Sequence, residues 1–307
     1  MTEHSRIAVP DEGSLLERAM ARAALAARPV PSLPPARLPD TGQPVSIAAD
    51  DARVAVEPPR PFAGERHPLD RDRLRAGGFI VPGDPVTALL EEIRLVKRQL
   101  MLAAAESRGG VGAPHGERIL VASAHAGEGK TWVAVNLALA IAAEKDNEVL
   151  LVDADFAKPS VLSTLGLPGG PGLMDALADP TIAVEDCIVG TDVPGLYVLP
   201  AGQATQTDSE WLASARTAGV LDRLSAQAPN RLIIFDSPPA LAASPAAELA
   251  LHVGQTVVVV RAEHTGEAAL KDALSLLSGC ADLKLLLNGV QFSPTGRRFG
   301  SYYGFGG

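Results

Sequence analysis

Between residues 86 and 288, short continuous apolar runs alternate with stretches whose apolar positions recur every three or four residues. The runs at 119–122, 149–152, 196–199, 232–235, 256–260 and 283–287 predict six strands. The longer period predicts helices over 86–105, 132–143, 211–226, 245–252 and 267–277. Strands without polar alternation are buried on both faces, and that requires helices on both sides of a parallel sheet. The expected fold class is α/β, with a mostly parallel central sheet flanked by helices.

Before residue 84 the pattern changes. About half of the 25 prolines lie ahead of residue 86, among Arg, Asp and Ala. Such a segment buries too little apolar surface to offset chain entropy, so residues 1–83 read as a mostly disordered region. The exception is 14–27, where Ser14 can cap, Glu17 completes a capping box, and Leu15, Leu16, Ala19 and Met20 follow at helical spacing. It reads either as a transient helix in a tail or as a docking helix for a partner. Residues 84–291 then form the folded domain, with a Gly/Pro-rich linker at 109–116, and 292–307 a flexible tail.

Composition narrows this further. Hydrophobic content is 47% but aromatics are only 4%, so the core is aliphatic. A net charge of −9 argues against a chain that coats nucleic acid. Cys187 and Cys280 lack the spacing of a disulfide framework or zinc site. With no signal-like apolar core and no spanning run, the expectation is a cytoplasmic protein whose membrane role would need an adaptor.

Three motifs carry chemistry. Ala124-His125-Ala126-Gly127-Glu128-Gly129-Lys130-Thr131 follows a strand and opens a helix, the setting of a phosphate-binding loop. Its glycines let successive N–H groups face anionic oxygens. Lys130 can reach the β- and γ-phosphates, and the Thr131 hydroxyl can ligate magnesium. His125 reads as an exposed loop residue. The second motif, Asp153-Ala154-Asp155, ends another strand, where two carboxylates can hold magnesium or accept a proton from an attacking hydroxyl. Which acid is base and which is ligand stays open. The third, Asp236-Ser237-Pro238-Pro239, ends a further strand in an acid suited to positioning magnesium. Asn288 closes the last strand, where it resembles the base-recognising asparagine of related P-loop ATPases or serves as a turn asparagine.

With these motifs the chain resembles the bacterial P-loop tyrosine autokinases of capsule and exopolysaccharide systems, most nearly the cytoplasmic type found with exosortase-linked clusters. The likeness extends to the helix Glu91-Glu92-Ile93-Arg94-Leu95-Val96-Lys97-Arg98, to 74–80 and to 14–19. It implies a P-loop NTPase fold and ATP and Mg2+ as cofactors. In the site it implies contacts to the nucleotide from Ala126 through Trp132 and from Asn288. Thr131, Asp153, Asp155 and Asp236 would hold the metal, with Lys130, Asp153 and Asp155 catalytic. It further implies a ring-like homo-oligomer joined through Glu91, Arg94 and Lys97, a membrane-anchored co-polymerase adaptor, and phospho-acceptors in a C-terminal tyrosine cluster. Tyr302 and Tyr303 stand in that place, in a glycine-rich tail.

The chain departs from the family in several places. Ala157 stands where an arginine usually follows the second acid, Ala126 replaces a proline, and Trp132 replaces a small polar residue. Ser244-Pro245 occupies a region where relatives often carry an aspartate, and the tyrosine cluster is short. The reading is an autokinase that phosphorylates its tail in trans and regulates polysaccharide polymerisation or export. The alternatives are a nucleotide-dependent scaffold of the export machinery with little kinase activity and, further off, a partitioning-type ATPase. The latter typically carries another lysine near the start of the loop, where Ser123 and Ala124 stand.

Overall fold

The computed structural model describes residue 62, residues 64–205, 207–226 and 230–290. The chain divides into Met1–Val56 and Glu57–Gly307, and every described residue belongs to the second unit. The helix expected at 14–27 and the acceptors Tyr302 and Tyr303 lie outside the described residues.

Eight strands form one sheet in the order β1-β4-β5-β3-β6-β2-β7-β8. They are β1 (Arg66–His67), β2 (Arg118–Ser123), β3 (Glu148–Asp153), β4 (Val189–Thr191), β5 (Leu196–Leu199), β6 (Arg231–Asp236), β7 (Gln255–Arg261) and β8 (Leu283–Asn288). The six strands from β5 to β8 are parallel; β4 runs antiparallel to β5, and β1 parallel to β4. All six residues of β2 and of β6 are buried, as continuous apolar strands require.

Side chains alternate between two cores. Leu120, Leu150, Ile233 and Phe235 face α5 (Leu173–Ala178), α7 (Ala215–Ala226), α8 (Pro245–Ala250) and α9 (Glu267–Leu276). Ile119, Val121, Leu151 and Ile234 face α3 (Lys130–Ala142), which packs in turn beneath α2 (Ala88–Arg108). Because α3 lies between the sheet and α2, it is buried without a break from Val133 to Ala142.

The inward stripe of α2 is Ile93, Lys97, Leu100 and Ala104. Lys97 is thus a core position. Its ammonium donates to Ala140 O at 3.2 Å and pairs with Glu144 at 2.6 Å, where the free carbonyls and dipole at the end of α3 favour a cation.

The folded domain starts earlier than residue 84. Strand β1 pairs with β4, with Arg66 opposite Gly190. Asp70 caps α1 (Arg71–Ala76) by accepting from Arg73 N at 2.9 Å. Leu69, Leu74 and Val81 are buried in the second core. Ile80 N donates to the buried Asn136 at 2.8 Å, and Arg71 pairs with Asp192 at 2.7 Å. Leu69, Leu74 and the run Phe79-Ile80-Val81 fall at no regular period in a charged stretch; partners far along the chain order this segment.

Candidate nucleotide site

Three strand ends converge. Strand β2 runs into the loop 124–129, which opens α3; the acids Asp153 and Asp236 end β3 and β6, and the register sets them side by side. Sites in open parallel sheets form at this carboxyl edge. Gly127 takes φ +79° and Gly129 φ +101°, left-handed conformations that side chains rarely adopt. A Cβ on Gly129 would also lie 2.2 Å from the Asn288 side-chain nitrogen.

The loop is held from within and from outside. The Glu128 side chain is fully buried and folds back to accept from His125 N at 2.9 Å and from the Thr265 hydroxyl at 2.5 Å. Asn288 Nδ2 donates to Glu128 O at 2.9 Å, Arg261 Nη1 donates to Gly127 O at 3.0 Å, and Ser123 Oγ donates to His125 O at 2.8 Å.

At the first turn of α3, Lys130 is 7% exposed, with Nζ 3.8 Å from Asp155 Oδ2. Asp155 Oδ1 accepts from Lys158 N at 3.1 Å. Asp153 is more engaged: Oδ2 accepts from Ser160 N and Val161 N, each at 2.9 Å, and Oδ1 accepts from Asp155 N at 3.3 Å. It thereby anchors the start of α4 (Val161–Leu165). Burial still outweighs those bonds and pushes its carboxyl up to about 6. Asp236 is fully buried; the Thr131 hydroxyl reaches toward its carboxyl, but neither oxygen holds a hydrogen bond of full geometry. Burial pushes it up to about 7, with Asp153 and Asp155 adding to the rise and Thr131 and Lys130 opposing it.

Unpartnered carboxylate oxygens at such depth are costly. Their chemistry suits a divalent cation, and Thr131, Lys130 and the glycine turns suit the phosphates that accompany one. Among the described residues, no group of three or more His, Cys, Asp or Glu side chains is arranged to hold a metal by itself. The residues therefore fit a magnesium ion that takes most of its ligands from phosphate and water.

Comparison with known proteins agrees with this architecture. The model of the AAA domain family matches residues 116–284, more than half of the chain. The chain is 30% identical over 237 residues to the tyrosine-protein kinase wzc of Salmonella typhi, covering 76% of this chain and 31% of that protein. It is 30% identical over 188 residues to the tyrosine-protein kinase YwqD of Bacillus subtilis, covering 61% of this chain and 77% of the relative.

The chain belongs to the bacterial P-loop tyrosine kinase family.

Its structure is similar to the kinase domain of the Escherichia coli tyrosine kinase ETK, with a TM-score of 0.58, 26% identity, and coverage of 66% of this chain and 77% of that one. The chain spans about a third of the length of the Salmonella protein. Its phosphate loop, Lys130, Thr131, Asp153, Asp155 and Asp236 gather at one edge. Trp132 turns away from that edge toward Phe79, with ring centroids 6.4 Å apart. Asn288 is bonded to the loop itself. Glu91 and Arg94 pair with each other on α2. Lys97 meets Ala140, about 15 Å along α3 from Lys130 at the usual helical rise.

Arg261 and Thr265 are the contributors that sequence reading missed. Their one available signal is position, since β7 pairs with β2 and its carboxyl end therefore borders the phosphate loop.

Proposed function

We propose that this chain is an ATP-dependent protein-tyrosine autokinase that phosphorylates Tyr302 and Tyr303 in trans and so regulates polymerisation or export of an exopolysaccharide. The observation that carries the reading is Asp236, buried with two unpartnered oxygens beside Lys130 and the phosphate loop. Inward loop amides and the Lys130 ammonium hold the β- and γ-phosphate oxygens of ATP. Thr131, Asp155 and Asp236 hold magnesium, which when bound neutralises charge on the phosphates.

The acceptor tyrosine oxygen attacks the γ-phosphorus. A new O–P bond forms as the bond to the β–γ bridging oxygen breaks, ADP leaves, and the tyrosine proton passes to Asp153. A carboxyl pushed up to about 6 suits that task, because its proton affinity lies near working pH. Asn288 serves here as a support of the loop.

Each phosphotyrosine adds roughly −1.5 to −2 charges. Repulsion from the acidic site would then expel the tail and loosen the ring. Lys97 is engaged within its own chain, which leaves Glu91 and Arg94 on α2 to meet a neighbouring protomer. Among the described residues no helix is long and apolar enough to cross a membrane, and a membrane-anchored co-polymerase is the proposed adaptor, reached through the segment 14–27. The second reading, a nucleotide-dependent scaffold, is favoured by Ala157 in the place of the family's arginine.

Mixing separates these readings. A chain carrying Tyr302→Phe and Tyr303→Phe, mixed with Lys130→Met chains, ATP and magnesium, is expected to phosphorylate the tyrosines of the Lys130→Met partner, read by mass spectrometry. ATP binding with every tyrosine unlabelled, adaptor segment included, would establish the scaffold instead.

A further inference from the structure

We propose that Arg261 and Thr265, beyond the end of β7, are positioning residues that hold the phosphate loop in its anion-binding shape by way of Glu128. The inference rests on the nucleotide-binding reading above and adds a second set of residues to it.

In a trans peptide the carbonyl and the following N–H point in opposite directions. Arg261 Nη1 pins Gly127 O from outside at 3.0 Å, and so turns the Glu128 N–H toward the interior of the loop. Asn288 Nδ2 pins Glu128 O at 2.9 Å and does the same for the Gly129 N–H. Two of the amides that would cradle phosphate are therefore aimed by side chains that need not touch it.

The Glu128 carboxylate poses the opposite problem. It is fully buried inside a loop meant for anions, where a free carboxylate would repel phosphate and compete for its amides. Both oxygens are engaged: Oε2 by His125 N at 2.9 Å and Oε1 by the Thr265 hydroxyl at 2.5 Å. The direction of that hydroxyl is fixed, because its oxygen accepts from Arg261 N at 2.9 Å and leaves its proton for Glu128. Glu263, at φ +60°, turns the chain between them, and Thr265 N closes the turn on Arg261 O at 3.0 Å. One five-residue turn thus grips both the main chain and the acid of the loop.

The test is Thr265→Val, which keeps the shape and removes the hydroxyl, alongside Thr265→Ser and Arg261→Gln in the full chain. A hydrogen bond to a charged group is worth about 1.5–3 kcal/mol, so Thr265→Val is expected to weaken ATP·Mg binding and raise KM for ATP roughly tenfold or more. The turnover at saturating ATP stays within about twofold, and Thr265→Ser restores affinity. Arg261→Gln should also raise KM, which keeps the test open should the valine variant fold poorly.

Unchanged ATP affinity in both variants overturns this inference while leaving the nucleotide reading intact. So does a fall in turnover and melting temperature at constant KM. A wild-type chain that binds no ATP overturns the nucleotide reading itself.

Discussion

Replacing Lys130 by methionine is expected to slow ATP-dependent tyrosine labelling by at least about 100-fold while leaving the fold in place. A single preorganised charge or donor aimed at developing negative charge accounts for about 10²–10³ in rate when removed. Lys130 is held at the first turn of α3, 7% exposed, directly after the loop and with its ammonium 3.8 Å from Asp155. Methionine reproduces the buried stem but not the charge. Among the described residues the ion pair it forfeits is the 3.8 Å contact to Asp155, too long for a strong hydrogen bond, so circular dichroism should show a native spectrum. Labelling of the methionine variant at the wild-type rate would remove Lys130 from the mechanism.

Asp236→Asn is expected to have effects of opposite sign on stability and on function. The ordinary carboxyl value is 3.8, and burial pushes this one up to about 7. Between those values the unfolded chain ionises while the folded chain keeps its proton. Stability is therefore fully present below about pH 4 and is lost as pH rises to about 7, by roughly 4 kcal/mol for a difference of that size. Asp153, pushed up to about 6, acts in the same direction over a window that ends near pH 6.

Asparagine cannot ionise. Without nucleotide, Asp236→Asn should be more stable than wild type at pH 8, by about 1–3 kcal/mol after allowance for its own unpartnered amide, and should lose that advantage at pH 4. The same change should abolish tight binding of magnesium nucleotide. Urea unfolding between pH 4 and 8 reads the first effect, and nucleotide titration the second. A wild-type protein whose stability is flat across this range would contradict the account of Asp236.

The central strands were legible because burial on both faces leaves continuous apolar runs, as in Arg231–Asp236, and the motif acids stand at their ends. What was not legible depends on tertiary partners. Strands β1 and β4 have two and three residues, too short for any period to register. The helix expected over 211–226 is two, α6 (Asp208–Leu212) and α7, because the hydroxyls of Ser214 and Thr217 both donate to Trp211 O and compete with the helical ladder. Lys97 stood with Glu91 and Arg94 among the residues expected to join protomers, yet its spacing from Ile93, Leu100 and Ala104 places it on the inward stripe. In the site, the loop and its acids could be named from spacing alone. The grip of Arg261 and Thr265 could not, because it spans well over a hundred residues of chain.

The most direct measurement is calorimetric titration of the full chain with ATP, with and without magnesium. The account predicts saturable binding of one ATP per chain that is tighter with magnesium and lost in Asp236→Asn. A chain that takes up no ATP at millimolar concentration, with magnesium present, would contradict it.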